Sequence, residues 1–265
     1  MKAGTLCAAL WLAACLAPHA CAAGEPAAQH YLGMAYARDG GRLLYSEEHW
    51  IARDSGGERR IVLYRCPNGK PFARKRMYGG IGDDAPDFTF HDRRDGYEEG
   101  MTGRGGQRQA YVRRNQSAPR QVANLATPRN AVVDAGFDAY LRGRWEALGA
   151  GRGTHIAFLV PSSLQYLNLK IQARDGLDDG QPVRRFRLDL DAWYGFAAPS
   201  IEVVYSRSDR RLLRFEGIGN IRDGQGRTQQ VRIEFPAGKQ YPPPSGQQIE
   251  SAGAEPLVPR CNAQN

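Results

Sequence analysis

The stretch RFRLDLD, from Arg185 to Asp191, shows the pattern that decides the fold of this chain. Apolar and charged residues alternate strictly, so Phe186, Leu188 and Leu190 point to one side of an extended backbone and the charged residues to the other. Such alternation is typical of an antiparallel strand that buries one face and exposes the other. The stretch therefore predicts a half-buried strand.

The same two-residue period recurs through most of the chain after residue 29. Other alternating segments are 32–36, 43–52, 60–66, 72–78, 88–93, 109–113, 156–160, 167–172 and 231–235. Turn sequences such as Asn68-Gly69 and Asp95-Gly96 separate them, and turns about every 8–12 residues are typical of a β-meander. We predict a mainly β (α+β) fold, a curved antiparallel meander sheet of about ten strands, in a single domain over residues 29–236.

One segment, Asn130–Leu148, has a helical period instead. Its apolar residues fall on one stripe of a helix, and Gly149 stands where a helix commonly ends. The residues of this stripe are Val133, Phe137, Leu141, Trp145 and Leu148. We predict one amphipathic helix packed on the concave face of the sheet.

The C-terminal residues 237–265 change in character. They contain Pro242-Pro243-Pro244 and several Gln, and they show little periodicity. Such composition is typical of an extended segment, so we predict a Pro-rich C-terminal strap.

The first 22 residues are typical of an export signal. Lys2 is followed by an apolar run and by Ala20-Cys21-Ala22, which fits signal-peptidase cleavage after Ala22. Leu12-Ala13-Ala14-Cys15 also resembles a lipobox, with Cys15 as the acylated residue. The run is shorter than the roughly 20 apolar residues that a membrane-spanning helix needs. We predict a periplasmic or secreted protein, with an outer-membrane-anchored lipoprotein as the alternative, and no integral membrane protein.

The cysteine count bears on that choice. Cleavage after Ala22 leaves Cys66 and Cys261, an even number that can close one disulfide. Acylation at Cys15 would leave Cys21 unpaired beside them. We therefore predict a Cys66–Cys261 disulfide that holds the strap to the domain. The even number of cysteines left by cleavage after Ala22 favours free export over acylation.

Charge limits the classes of partner. The formal net charge is +8, which suits an anionic envelope surface of lipid head groups or polysaccharide. Export would remove the protein from the nucleoid, so nucleic acid is excluded as a partner. A hydrophobic share of 42% is sufficient for a core and excludes general disorder.

Motifs for catalysis and metal binding are missing from the sequence. It contains no G-x-S-x-G, H-E-x-x-H or C-x-x-C. Glu47 and His49 share one face of a strand, and we interpret them as a surface pair. The acidic stretch Asp83–Glu99 lacks the spacing of a calcium loop, so we interpret it as a charge-balanced hairpin. We predict no catalytic residue, no metal and no cofactor.

The apolar residues of the predicted helix and strands can line either a solid core or an apolar cavity. Sequence patterns do not separate these two alternatives. The residues concerned are Phe137, Leu141, Trp145, Phe158 and Phe186.

Residues Ile201–Asp223 carry a resemblance to a known class. A strand, an acidic turn and the run Leu-Leu-Arg-Phe-Glu-Gly-Ile-Gly-Asn-Ile resemble the late strands of uncharacterised exported proteins of gram-negative bacteria. Those proteins resemble the half-barrel of periplasmic lipoprotein carriers. Over residues 150–236 the resemblance implies a curved antiparallel sheet around an apolar concave face with helical cover. It transfers no site residue.

Three hypotheses follow. The first is an exported envelope protein that binds an apolar or amphiphilic ligand, a lipid or a lipoprotein, without catalysis. The second is a solid-core structural or interaction protein of the periplasm. The third is a hydrolase whose site is assembled from distant carboxylates, such as Glu47 and Glu99, which must then converge in one cleft.

Overall fold

A computed structural model describes residues 27–39, 41–103, 106–134, 136–151, 153–192 and 199–261. The predicted signal peptide over residues 1–22 and the alternative acylation site Cys15 lie outside the described residues. Both stay predictions.

The described residues form sixteen strands, more than the ten or so that the sequence predicts. They are β1 (Ala28–Ala37), β2 (Leu43–Asp54), β3 (Gly57–Arg65), β4 (Pro71–Gly79), β5 (Asp87–Asp92), β6 (Tyr97–Thr102), β7 (Gln107–Arg113), β8 (Gln121–Ala126), β9 (Ala131–Val132), β10 (Thr154–Val160), β11 (Gln165–Asp178), β12 (Gln181–Leu190), β13 (Ile201–Ser206), β14 (Leu212–Arg222), β15 (Thr228–Glu234) and β16 (Gln240–Tyr241). The strands β6, β8, β9 and β16 were missed because they are short or lack strict alternation, and neighbouring strands supply their pairing.

All sixteen strands belong to one curved, unclosed sheet. Strands β1 to β8 follow one another as a meander and form one half, while β9 to β15 form the other. The halves join where β1 pairs antiparallel with β15, and β16 also pairs with β1. Strands β8 and β9 end the order, and β9 pairs parallel with β10. A mainly β, predominantly antiparallel sheet is therefore confirmed.

One face of the sheet, here called the inner face, carries the core. Cross-strand pairing links Phe186 to Val203, Val203 to Phe215, Phe215 to Ile233, and Ile233 to Ala35. All five residues are buried or half-buried, so one row of apolar side chains runs from one half into the other. Each strand contributes one of its alternating inward-facing residues to this row.

The predicted single helix over Asn130–Leu148 is wrong in extent. Two short helices, α1 (Gly136–Gly143) and α2 (Trp145–Gly149), replace it, and they are interrupted at Arg144. The segment before them contains β9 instead, because Ala131 pairs with β10, and the Val133 N–H that follows donates to the Asp84 carbonyl at 3.0 Å. Tertiary hydrogen bonds thus outweigh the weak helix propensity of a Gly-containing segment.

Part of the predicted stripe does reach the inner face. Leu141, Trp145 and Leu148 are buried in one apolar cluster with residues of β10 to β13 such as Phe186. Trp145 meets the Phe186 ring edge-on, with centroids 5.6 Å apart. The two helices therefore fill the part of the inner face formed by the second half of the sheet.

The strap is not extended throughout, because it contains α3 (Gly246–Ala254). Ser245 and Gln248 form a capping box at its start, a local signal that the sequence does carry. α3 lies on the outer face over β2 and β3, where Gly253 allows close approach to Ile61. None of the helices in the described part of the chain has the length and apolar character needed to cross a membrane.

The predicted disulfide is confirmed. Cys66 and Cys261 are bonded, with Cα atoms 5.4 Å apart and a sequence separation of 195 positions. Cys66 is buried directly before the β3–β4 turn, so the bond fastens the strap to the first half of the sheet.

Candidate functional site

A cavity of about 460 Å³ lies between the two halves of the sheet. Its walls come from β5 and β6 in the first half and from β10 to β15 in the second, together with loop residues near them. The lining residues that decide its chemistry are Tyr97, Glu99, Arg114, Asp134, Phe158, Leu167, Leu169, Leu188, Leu190, Ile201, Asn220 and Arg222.

One wall of this cavity is apolar. Strands β10, β11 and β12 present Phe158, Leu167, Leu169, Leu188 and Leu190 to it. The alternation of these strands turns every second side chain inward. The wall can therefore contact a hydrocarbon chain without burying a polar group.

The opposite wall is polar and charged. The Arg222 guanidinium lies 3.8 Å from the centre of the Tyr97 ring, and its Nη2 donates to Asp95 at 2.5 Å and to the Arg114 carbonyl at 2.8 Å. Arg114 itself donates to the Ser162 carbonyl at 3.1 Å. These contacts hold two cations at the same wall as a buried carboxyl group, Glu99.

Glu99 is 8% exposed and accepts a hydrogen bond of 2.6 Å from the Tyr97 hydroxyl. Burial raises the pKa of the Glu99 carboxyl above its ordinary value, although the Tyr97 hydrogen bond and the charge of Lys75 oppose that shift. In its protonated form the Glu99 carboxyl group can donate as well as accept hydrogen bonds inside the cavity.

Asp134 completes the polar wall from the segment that follows β9. Its carboxylate accepts two hydrogen bonds from the buried Lys75 Nζ, at 2.8 and 2.6 Å. The Asp134 backbone has φ of 49°, a left-handed conformation that Asp tolerates better than most residues. The ion pair ties β4 to the start of the helical segment at the edge of the cavity.

The five residues predicted to line a core or a cavity divide between the two. Phe158 lines the cavity, whereas Leu141, Trp145 and Phe186 are buried in the solid cluster under α1 and α2. Phe137 is half-buried and meets Phe158 edge-on at 6.5 Å. Solid core and cavity therefore exist side by side.

The interpretation of Glu47 and His49 as a surface pair is wrong. Both residues are on the inner face and buried, 7% and 8% exposed, with His49 Nε2 3.4 Å from Glu47 Oε2. Burial lowers the pKa of His49 despite this carboxylate neighbour. Glu99 lines the cavity and Glu47 does not, so the structure does not bring the proposed hydrolase pair together there.

The acidic stretch Asp83–Glu99 is a hairpin of β5 and β6 whose carboxylates meet arginines. Asp87 pairs with Arg108 at 2.5 Å, and Asp92 pairs with Arg94 at 2.7 Å. Glu98 pairs with both Arg113 and Arg120. Over the described ranges, no group of three or more His, Cys, Asp or Glu residues is placed to hold a metal ion.

Of the polar wall, only Glu99 was named from the sequence, as a carboxylate of the hydrolase hypothesis. The parts of this wall come from strands that are far apart in the chain, and most of its charged residues look like ordinary solvated positions. One signal was available: Lys75 occupies the inward position between Ala73 and Met77, where alternation calls for an apolar residue. A charged residue at such a position needs a buried partner.

Comparisons with known proteins identify no family for this chain. No family model matches it, and no curated protein matches it at a significant level. Among solved structures, it is similar to a beta-barrel-like protein of a domain of unknown function, DUF1849, from Brucella abortus. The two are 9% identical with a TM-score of 0.43, over 79% of this chain and 96% of that chain. At that score the similarity carries no conclusion, and the resemblance to lipoprotein carriers stays a prediction.

Proposed function

We propose that this protein is an exported envelope protein that binds an amphiphilic ligand, a lipid or the lipid part of a lipoprotein, in the cavity between the halves of its sheet. The observation that carries this proposal is the division of the cavity into an apolar wall on β10–β12 and a polar wall around Glu99 and Arg222.

The size of the cavity supports a small amphiphile. A volume of about 460 Å³ falls within the roughly 300–1,000 Å³ typical of small-molecule sites. Each methylene removed from water by the apolar wall contributes about 0.8 kcal/mol to binding. The polar wall offers cations and hydrogen-bond partners to a head group. The hydrocarbon chain and the head group of a ligand would therefore contact different walls.

Two variants of one strand test the proposal. Leu167→Trp adds bulk inside the cavity, whereas Leu177→Trp, also on β11, adds the same bulk at a side chain that is 67% exposed. The probe is a dansyl-labelled undecanoic acid titrated into the purified protein. We expect its fluorescence to rise on binding to wild type and to Leu177→Trp, and we expect Leu167→Trp to bind it at least tenfold more weakly.

A second measurement uses the protein as purified from a gram-negative host. Solvent extraction and mass spectrometry should detect lipid bound to wild type and less of it bound to Leu167→Trp. Absence of both probe binding and extracted lipid from wild type contradicts the proposal and favours the solid-core interaction protein. Equal binding by both tryptophan variants places the ligand outside this cavity.

A further inference from the structure

The outer face of the sheet carries a short stack of aromatic rings at the β16, β1 and β2 strands. Tyr241, His30 and Trp50 lie side by side there, because β1 pairs His30 with both of its neighbours. The His30 and Trp50 ring centroids are 3.6 Å apart with planes 17° apart, and Tyr241 lies 4.5 Å from His30. This surface is distinct from the inner cavity.

Trp50 forms one wall of a groove whose other wall is the α3 segment. His30 stacks on one face of the indole, and α3 packs over β2 and β3. The groove has a volume of about 720 Å³. Its remaining lining residues are Gln247, Gln248, Ser251, Ala252, Ala254, Glu255 and Pro256. The small residues leave space in front of the indole, and the amide and hydroxyl groups surround that space.

The charge of the groove is balanced within the protein. Glu255 is the one ionisable residue among the described residues that line it, and its two oxygens accept from Arg65 at 2.8 and 2.7 Å. Arg65 also binds Glu48, which contacts His30 at 3.0 Å. This network fixes the aromatic stack and leaves the groove without a free charge of its own. An ionic ligand therefore gains little there.

A neutral, hydroxyl-rich ligand with an apolar face matches these groups. Pyranose rings present a face of C–H bonds that packs on the electron-rich face of an indole, while their hydroxyls bond amides and hydroxyls at the edges.

We propose that the groove between Trp50 and α3 is a binding site for an uncharged oligosaccharide. One sugar ring packs on the free face of the Trp50 indole, and the side chains of Gln247 and Ser251 bond its hydroxyls.

The test is calorimetric titration of the full disulfide-bonded protein with neutral tetrasaccharides. The probes are the β-1,4-linked tetramers of N-acetylglucosamine and of glucose, and the α-1,4-linked tetramer of glucose. We expect wild type to bind at least one of them with a dissociation constant below about 1 mM. Trp50→Ala should weaken that binding by about tenfold or more, because it removes the stacking face.

Two further variants separate recognition from folding. Ser251→Arg fills the groove from α3 and leaves the aromatic stack in place, so it should abolish binding in a protein with unchanged thermal stability. Tyr78→Ala removes an aromatic ring that is 50% exposed elsewhere on the surface, and it should bind as wild type does. Failure of wild type to bind any of the three probes, or retention of affinity by both groove variants, overturns the proposal. Binding of uncharged peptides in place of saccharides overturns it as well.

Discussion

Lys75 and Asp134 form a buried ion pair between β4 and the segment that follows β9, 59 residues further along the chain. The Lys75 side chain is 3% exposed and its Nζ donates to both oxygens of the Asp134 carboxylate. A buried charge is expensive unless an opposite charge and hydrogen bonds compensate it. The pair therefore fixes where the helical segment starts and, with it, one edge of the cavity.

Lys75→Met tests this role. Removing the ammonium group eliminates the charge that balances the Asp134 carboxylate, and the free energy of unfolding should fall by about 3–5 kcal/mol. Urea denaturation followed by circular dichroism measures the change. Arg232→Met is the matched control, because its partner Glu234 and Arg232 itself are both more than 40% exposed, and it should cost less than about 1 kcal/mol.

The double variant Lys75→Met/Asp134→Asn provides a second check. Asparagine keeps the left-handed backbone conformation of position 134 accessible and carries no charge. The double variant should lose less unfolding free energy than Lys75→Met alone. A double variant whose unfolding free energy is lower than that of Lys75→Met, by as much as Asp134→Asn lowers it alone, contradicts the coupling between the two residues.

Glu99→Gln should change how stability depends on pH. The folded-state pKa of Glu99 lies above the ordinary value of 4.5, so the folded protein binds the proton more tightly than the unfolded chain does. Wild type therefore loses stability as pH rises from about 4.5 through the raised pKa, and the glutamine variant lacks this loss.

Denaturation curves at a series of pH values measure the difference in unfolding free energy between Glu99→Gln and wild type. This difference should move in favour of the variant as pH rises through that window. A difference that stays constant from pH 4 to pH 8 contradicts the assignment.

Cys261→Ser should destabilise the protein by about 2–4 kcal/mol, because the disulfide closes a long loop between cysteines 195 positions apart in sequence. Thermal unfolding with and without dithiothreitol measures the effect. The reductant should lower the midpoint of wild type and leave that of Cys261→Ser unchanged. Free thiols in the oxidised wild type at both positions would contradict the bond.

Leu141→Ala and Phe158→Ala distinguish solid core from cavity wall. Leu141 is fully buried in the cluster under the helices, and its truncation should cost about 2–5 kcal/mol. Phe158 borders the cavity and lacks contacts on that side, so its truncation should cost less although the side chain is larger. Chemical denaturation of both variants measures which of them loses more unfolding free energy. A larger loss for Phe158→Ala than for Leu141→Ala contradicts the position of the cavity.

The helical segment shows where local patterns fail. The stripe over Asn130–Leu148 correctly placed Leu141, Trp145 and Leu148 on one buried face. It did not show that Ala131 and Val132 pair with β10, because that pairing depends on a strand that follows later in the chain. Helix propensity is worth tenths of a kcal/mol per residue, which a few tertiary hydrogen bonds exceed.

The residues of the candidate site were likewise predicted only in part from the sequence. Phe158 was predicted because it belongs to an alternating strand, whereas Tyr97, Asp134 and Arg222 were not, since nothing in their local sequence connects them. Glu47 was predicted as a partner of Glu99, but the structure leaves it beside His49 of its own strand and outside the cavity that Glu99 lines. Alternation shows that a residue is on the inner face, but not which residue of another strand it meets.

The sequence by itself determined the mainly β architecture and the Cys66–Cys261 bond. Strand periodicity is a local property, and only two cysteines lie beyond the predicted signal peptide, so they allow only one pairing. Only the tertiary structure decided the number of strands in the sheet, the break at Arg144 and the cavity between the two halves. These features depend on pairings and packing between residues that are distant in sequence, where the energy of a contact is fixed by the partner and not by the residue alone.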